Sequence, residues 1–167
     1  MPLVVATLAA ELSSIFMGHP NTGADAAFKI AGAYDNYCKT AMAPPGLPVF
    51  TGVEKTTFQG LLTPSLISAE AGNPTIVAQA MASAIQAYWL TPPVVFIGGP
   101  AAGMVTAVPG AMAIVSALSG ILSNTGNTEA VAGQQIATQF DIATKTVLVT
   151  FTTPPPPAGP PPPAMVI

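Results

Sequence analysis

Arginine is absent from this chain, and lysine occurs only four times in 167 residues, at Lys29, Lys39, Lys55 and Lys145. With a net charge of −3, such a chain cannot neutralise a run of phosphates, which argues against direct nucleic-acid binding. Acids are scarce too. Glu11, Asp25, Asp35, Glu54, Glu70, Glu129 and Asp141 are the only seven. An ordinary domain is about a quarter charged, so this length would carry on the order of forty ionised side chains. The shortage is deepest from Ala71 to Thr128, where fifty-eight consecutive residues contain none.

Two environments tolerate an exterior so poor in charge: a bilayer, or burial against other protein subunits. At 16.8 kDa the chain suits one domain or one domain plus a tail; a compact monomer of this mass exposes about 7,700 Å². Half of its residues are hydrophobic, so disorder is not expected upstream of the tail. Pro93–Leu122 is long enough to span a membrane, but it contains Pro100, Pro109 and five glycines. No lysine lies near either of its ends to anchor it. Subunit burial is therefore the stronger expectation, and a membrane-active, holin-like protein is the alternative. No basic region precedes the first apolar stretch and Glu11 interrupts it early, a pattern unlike a signal peptide.

Catalytic groups are equally sparse. A lone cysteine, Cys38, rules out an internal disulfide framework and is expected to be a small buried apolar residue. His19 is the only histidine; beside Pro20 and without cysteine or histidine partners it gives no metal-ligand spacing. Ser13, Ser14, Ser65, Ser68 and Ser83 lack the GxSxG context of a nucleophile elbow. Among the acids, Asp25 and Asp35 each stand four residues before a lysine, and Glu54 fits a helix cap, so a solvated structural role is expected for the acids over a pair held across a cleft. Gly98–Gly103 has the glycine content of a phosphate loop but neither its lysine nor its spacing. No enzyme, cofactor or metal is expected.

Periodicity points to a mainly helical α+β domain over residues 1–152, with five or six helices and one or two short strands, followed by a proline-rich arm over 153–167. Helices are expected over Leu3–Met17, from Thr22 to about Ala43, from a Thr51–Glu54 capping box to about Leu62, over Asn73–Leu90, from Pro109 to about Ser123, and from a cap at Asn127 or Thr128 to Lys145. The second of these presents Asp25, Lys29, Asp35 and Lys39 on one face and is expected to meet water there. Val94–Ile97 suits a short strand broken by Gly98-Gly99-Pro100. Thr146–Thr152 is the clearest strand, with Val147, Val149 and Phe151 alternating with Leu148 and threonines. Its partner is expected to be Val94–Ile97, the 47–51 region or another subunit. The arm holds eight prolines in two blocks, suited to polyproline II lying along a groove on a neighbour. Expected contact residues are the aromatics Tyr88, Trp89 and Phe96, the strand residues Val147, Val149 and Phe151, and Pro154, Pro155, Pro160 and Pro161 in the arm.

The run MAPPGLPVFTGVEK, the phrase AYWLTPPVVF, the passage AAGMVTAVPGAMA and the ending ATKTVLVTFTTPPPPAGP together span much of the chain. In these stretches the sequence resembles small structural proteins encoded among the virion genes of tailed bacteriophages, including contractile-tailed ones. The resemblance implies a virion component built as a ring or repeated lattice, contacting itself and other virion proteins in the neck or tail. A baseplate part and a capsid decoration protein remain alternatives within that class. It carries over no catalytic residue.

Overall fold

The computed structural model describes residues 3–43, 46–68, 72–98, 101–152 and 164–166. Three helices begin where their capping residues direct. Thr22 Oγ1 accepts a hydrogen bond from Asp25 N at 3.0 Å and opens α2 (Gly23–Cys38). Asn73 Oδ1 accepts from Thr75 N at 3.0 Å at the head of α4 (Pro74–Leu90), with proline in the first turn. Thr128 Oγ1 accepts from Val131 N at 3.3 Å and starts α7 (Glu129–Thr144). The first helix, α1, spans Val5–Met17.

Elsewhere tertiary packing moves the boundaries. The third helix, α3 (Val53–Ile67), runs past Leu62 and through Pro64. On that extra turn Ser65 is buried and Leu66 packs partly buried against the core, so packing outweighs the local cost of an interior proline, about 3 kcal/mol. The Thr51–Glu54 box forms in altered shape. Glu54 is buried and accepts from Thr51 N at 3.0 Å, Gly52 N at 2.9 Å and Thr51 Oγ1 at 3.0 Å. The threonine hydroxyl in turn accepts from Val53 N, not from the Glu54 amide. The helix expected over Pro109–Ser123 divides at Ile114 into α5 (Gly110–Ala113) and α6 (Val115–Ser123).

The β structure exceeds the one or two strands expected. An antiparallel sheet runs in the order β1 (Leu47–Val49), β2 (Val95–Gly98), β3 (Ala101–Ala107), β4 (Leu148–Thr152) and a two-residue β5 (Ala164–Met165). Within the chain the strand from Leu148 therefore pairs with neither of the two internal candidates. Its neighbours are β3, with Val105 opposite Val149, and β5, with Leu148 opposite Met165. The last described residues of the arm likewise return to the chain's own sheet, where Val166 is buried and its amide donates to Val147 O at 3.2 Å. Helices cover one face of the sheet, with Trp89 at the end of α4 stacked on Phe96 of β2. This is the segregated layering of an α+β domain.

The helix expected to face water does so at Lys29 and Lys39 but not at Asp35. Ala27, Ile30, Ala31, Tyr34, Tyr37 and Cys38 of α2 are buried as anticipated, but Asp35 is buried with them. Tyr88 on α4 donates to Asp35 Oδ1 at 2.9 Å, while Lys39 reaches Asp35 Oδ2 at 2.7 Å. A matching arrangement joins α2 to α7: Tyr37 donates to Asp141 Oδ1 at 2.5 Å, and Lys145 reaches Asp141 Oδ2 at 2.8 Å. Between the two, Trp89 Nε1 donates to Tyr34 Oη at 2.9 Å, and Tyr34 Oη lies 2.8 Å from Thr144 Oγ1. All three tyrosines and the only tryptophan thus make polar contacts inside the core, in three adjacent hydrogen-bonded groups.

Burial pushes the phenols of Tyr34, Tyr37 and Tyr88 well above their ordinary 10.0, and the carboxylates beside Tyr37 and Tyr88 push in the same direction. Burial likewise raises the Cys38 thiol above 9.0. A raised acid stays protonated in the fold while its unfolded counterpart loses its proton. The stability it contributes is therefore complete below about pH 9 and declines above pH 10, by about 1.4 kcal/mol per pH unit for each buried phenol. We expect tyrosinate absorbance to remain silent in the folded protein and then to appear for all three residues together with the loss of helical circular dichroism. Independent titration of one tyrosine near pH 10 with the fold intact would contradict these contacts.

The close approach of α1 and α7 depends on Gly133, where a Cβ would lie 2.6 Å from the backbone nitrogen of Ser13. Gly133→Ala should lower stability by about 1–3 kcal/mol in urea unfolding. Gly60, in α3 with open space around it, provides the contrast: Gly60→Ala should raise stability by about 0.5–1 kcal/mol.

Candidate functional site

Alternation along the strands sorts their residues onto two faces. Inward lie Phe96, Val105, Val149 and Phe151, all buried. Outward lie Leu47 and Val49 of β1, Val95 and Ile97 of β2, Ala102, Met104 and Thr106 of β3, Leu148 and Thr150 of β4 and Met165 of β5. The register aligns these into cross-strand rows. Leu47 stands opposite Ile97 and Ile97 opposite Ala102; Val49 stands opposite Val95, Val95 opposite Met104, and Met104 opposite Thr150. Thr106 sits where the β3–β4 register shifts, its hydroxyl 3.2 Å from Thr150 Oγ1.

No strand contains a charged residue. The outer face is consequently apolar with a threonine margin, and its large side chains stand in solvent: Leu47 is 55% exposed, Ile97 53%, Met104 47% and Met165 60%. An antiparallel sheet with one solvated face ordinarily alternates apolar with polar residues. Here β2, and β3 apart from Thr106, are apolar on both sides, the pattern of strands covered on both faces.

The contact residues expected from the sequence are placed differently. Tyr88, Trp89, Phe96, Val147, Val149 and Phe151 are all buried in the chain's own core, out of a neighbour's reach. Period two explains the correction: the more apolar face of β4 turns inward, leaving Leu148 and Thr150 outside. Pro154, Pro155, Pro160 and Pro161 lie outside the described residues. Sequence reasoning overlooked Leu47, Val49, Ile97, Ala102 and Met104. The signal was present in the unbroken apolar runs VVFI and AAGMV, since a strand with water on one side has no need of apolar residues on both.

Other chemical groups are dispersed. His19 Nε2 approaches Glu129 Oε1 at 3.8 Å on an open surface. Asp25 pairs with Lys29 at 2.8 Å, and Lys55 lies over the Phe28 ring at 4.7 Å from its centroid. Among the described residues no cluster of three or more histidine, cysteine, aspartate or glutamate side chains is arranged to hold a metal. The segment 93–122 folds largely as β2, β3, α5 and α6, and among the described residues no helix is long and apolar enough to cross a membrane. No protein-family model, curated protein or solved structure matches the chain.

The two faces make opposite demands on adjacent residues of one strand. Phe96→Ala should cost about 3–5 kcal/mol of stability. Its neighbour Ile97, replaced by the β-branched Thr, should change stability by less than about 0.5 kcal/mol in dilute solution. Comparable losses at both positions, measured by urea unfolding, would show that the outer face is covered within the chain itself.

Proposed function

We propose that the chain is a structural subunit of a tailed-phage virion, assembling with copies of itself and contacting other virion proteins in the neck or tail region. The observation that carries this reading is the charge-free, apolar outer face of the sheet on a chain already short of ionised groups. Three of its seven acids, Asp35, Glu54 and Asp141, are buried, so even fewer charges keep the exterior wet than the composition suggests. Exposed apolar surface of this extent on a small protein marks a place for another polypeptide.

Placement in the virion rests on the sequence resemblance to small phage structural proteins. A capsid decoration or baseplate role differs in position, not in physical principle. The membrane-active alternative loses its principal support, because the apolar run it needed is divided among short strands and helices.

Sedimentation of the purified chain over rising concentration should reveal multimers. Their stability should vary little between low and high salt, since few charges can be screened. A single-chain species persisting at high concentration would overturn self-assembly. Mass spectrometry of density-purified particles should find the chain in stoichiometric amount; its absence from particles would overturn the virion assignment.

A further inference from the structure

We propose that the outer face of the sheet is a two-fold contact between two copies of this chain, sheet packed on sheet, with Met104 at its centre. The inference rests on the self-assembly reading and specifies its surface and partner. Three features support a second copy as the occupant.

The first is charge. A face with no ionised group demands a partner face with none, because a charge pressed against it would lose its water without compensation. The same face on another copy meets that demand, and the chain's net charge of −3 adds little repulsion.

The second is area. Strands of three, four, seven, five and two residues, at about 3.4 Å per residue and about 4.8 Å between strands, present a planar footprint of roughly 340 Å². Leu47, Val49, Ile97, Met104 and Met165 stand half exposed above that plane, so two such faces bury more than the roughly 700 Å² of their combined footprint, an area at the small end of specific contacts.

The third is the state of the sheet edges. One edge is β1, three residues with Pro48 in the middle, and the other is β5, two residues long. The β1 edge is blunted in this way against continuing the sheet sideways into a neighbour, which favours stacking of faces as the route of association. Faces stacked in this way lie about 10 Å apart. Met104 is the middle residue of the middle strand, so a two-fold axis through the sheet centre brings it beside its twin.

The test uses the full chain at concentrations where it associates. Met104→Lys places two like charges near the axis and should raise the dissociation constant at least tenfold in sedimentation equilibrium, with the helical signal and melting profile of the single chain retained. Met104→Thr, a milder change suited to a strand, should weaken association in the same direction and serves if the lysine variant fails to fold. Met104→Cys should form a disulfide-linked dimer under mild oxidation, because the native Cys38 is buried and leaves the new thiol as the accessible one. Multimers that persist unchanged in both the lysine and threonine variants, or assembly without cross-linking of the cysteine variant, would overturn this contact and leave self-assembly through another surface intact. A wild-type chain that never associates would overturn the self-assembly reading itself.

Discussion

Two carboxylates withdrawn from water, Asp35 and Asp141, organise the interior. Each accepts from a buried tyrosine hydroxyl on one oxygen and from a lysine four residues later in the chain on the other. Hydrogen bonds to an ionised group stabilise by about 1.5–3 kcal/mol, roughly twice a neutral bond, and leaving such a group unpaired costs more than the bond contributes. That asymmetry fixes the relation of α2 to both α4 and α7. The lysines are half exposed, so their attraction is screened; the tyrosines, fully enclosed, supply the directional part. With Tyr34, Trp89 and Thr144 forming the third group beside them, no buried side-chain nitrogen or oxygen among the described residues lacks a partner.

This arrangement has a consequence at the surface. Asp35 and Asp141 lie inside and Glu54 is enclosed by its own helix cap, so the acids most needed to wet the exterior work within the fold. The total accessible area, 7894 Å², is close to the ~7,700 Å² of a compact chain of this mass. The apolar excess is therefore not an effect of loose packing. It is a property of a well-closed domain whose exterior is short of charge, and it is conspicuous on the sheet because all the strands are uncharged.

The helices were largely legible in the sequence because capping and spacing act over a few residues: Thr22, Asn73 and Thr128 each sit where a helix starts. The mainly helical α+β class followed from the same local signals. Long-range pairing was not legible. Ala101–Ala107 reads as a passage of alanine, glycine and valine around one methionine, and only its position between β2 and β4 makes it the central strand. The choice of face was also hidden, because alternation shows that two faces differ without showing which is covered by helices and which stays exposed. Asp35 misled for a related reason. An acid four residues before a lysine looks like a solvated pair until Tyr88, fifty-three residues away, closes over it.

Face-to-face pairing also limits what the molecule can build. A two-fold contact is isologous and closes on itself, producing a dimer and nothing larger. A ring or lattice therefore requires a second, heterologous surface. The β1 edge is poorly suited to provide it, since its three residues include Pro48. The helical side remains, where Met17, Phe28, Leu61 and Ile67 stand exposed on α1, α2 and α3, on the layer opposite the sheet. Two dissimilar surfaces on opposite layers would allow a dimer to act as the repeating unit of a larger assembly: under the proposed contact the sheet joins copies in pairs, and the helical side offers a surface for growth beyond the pair.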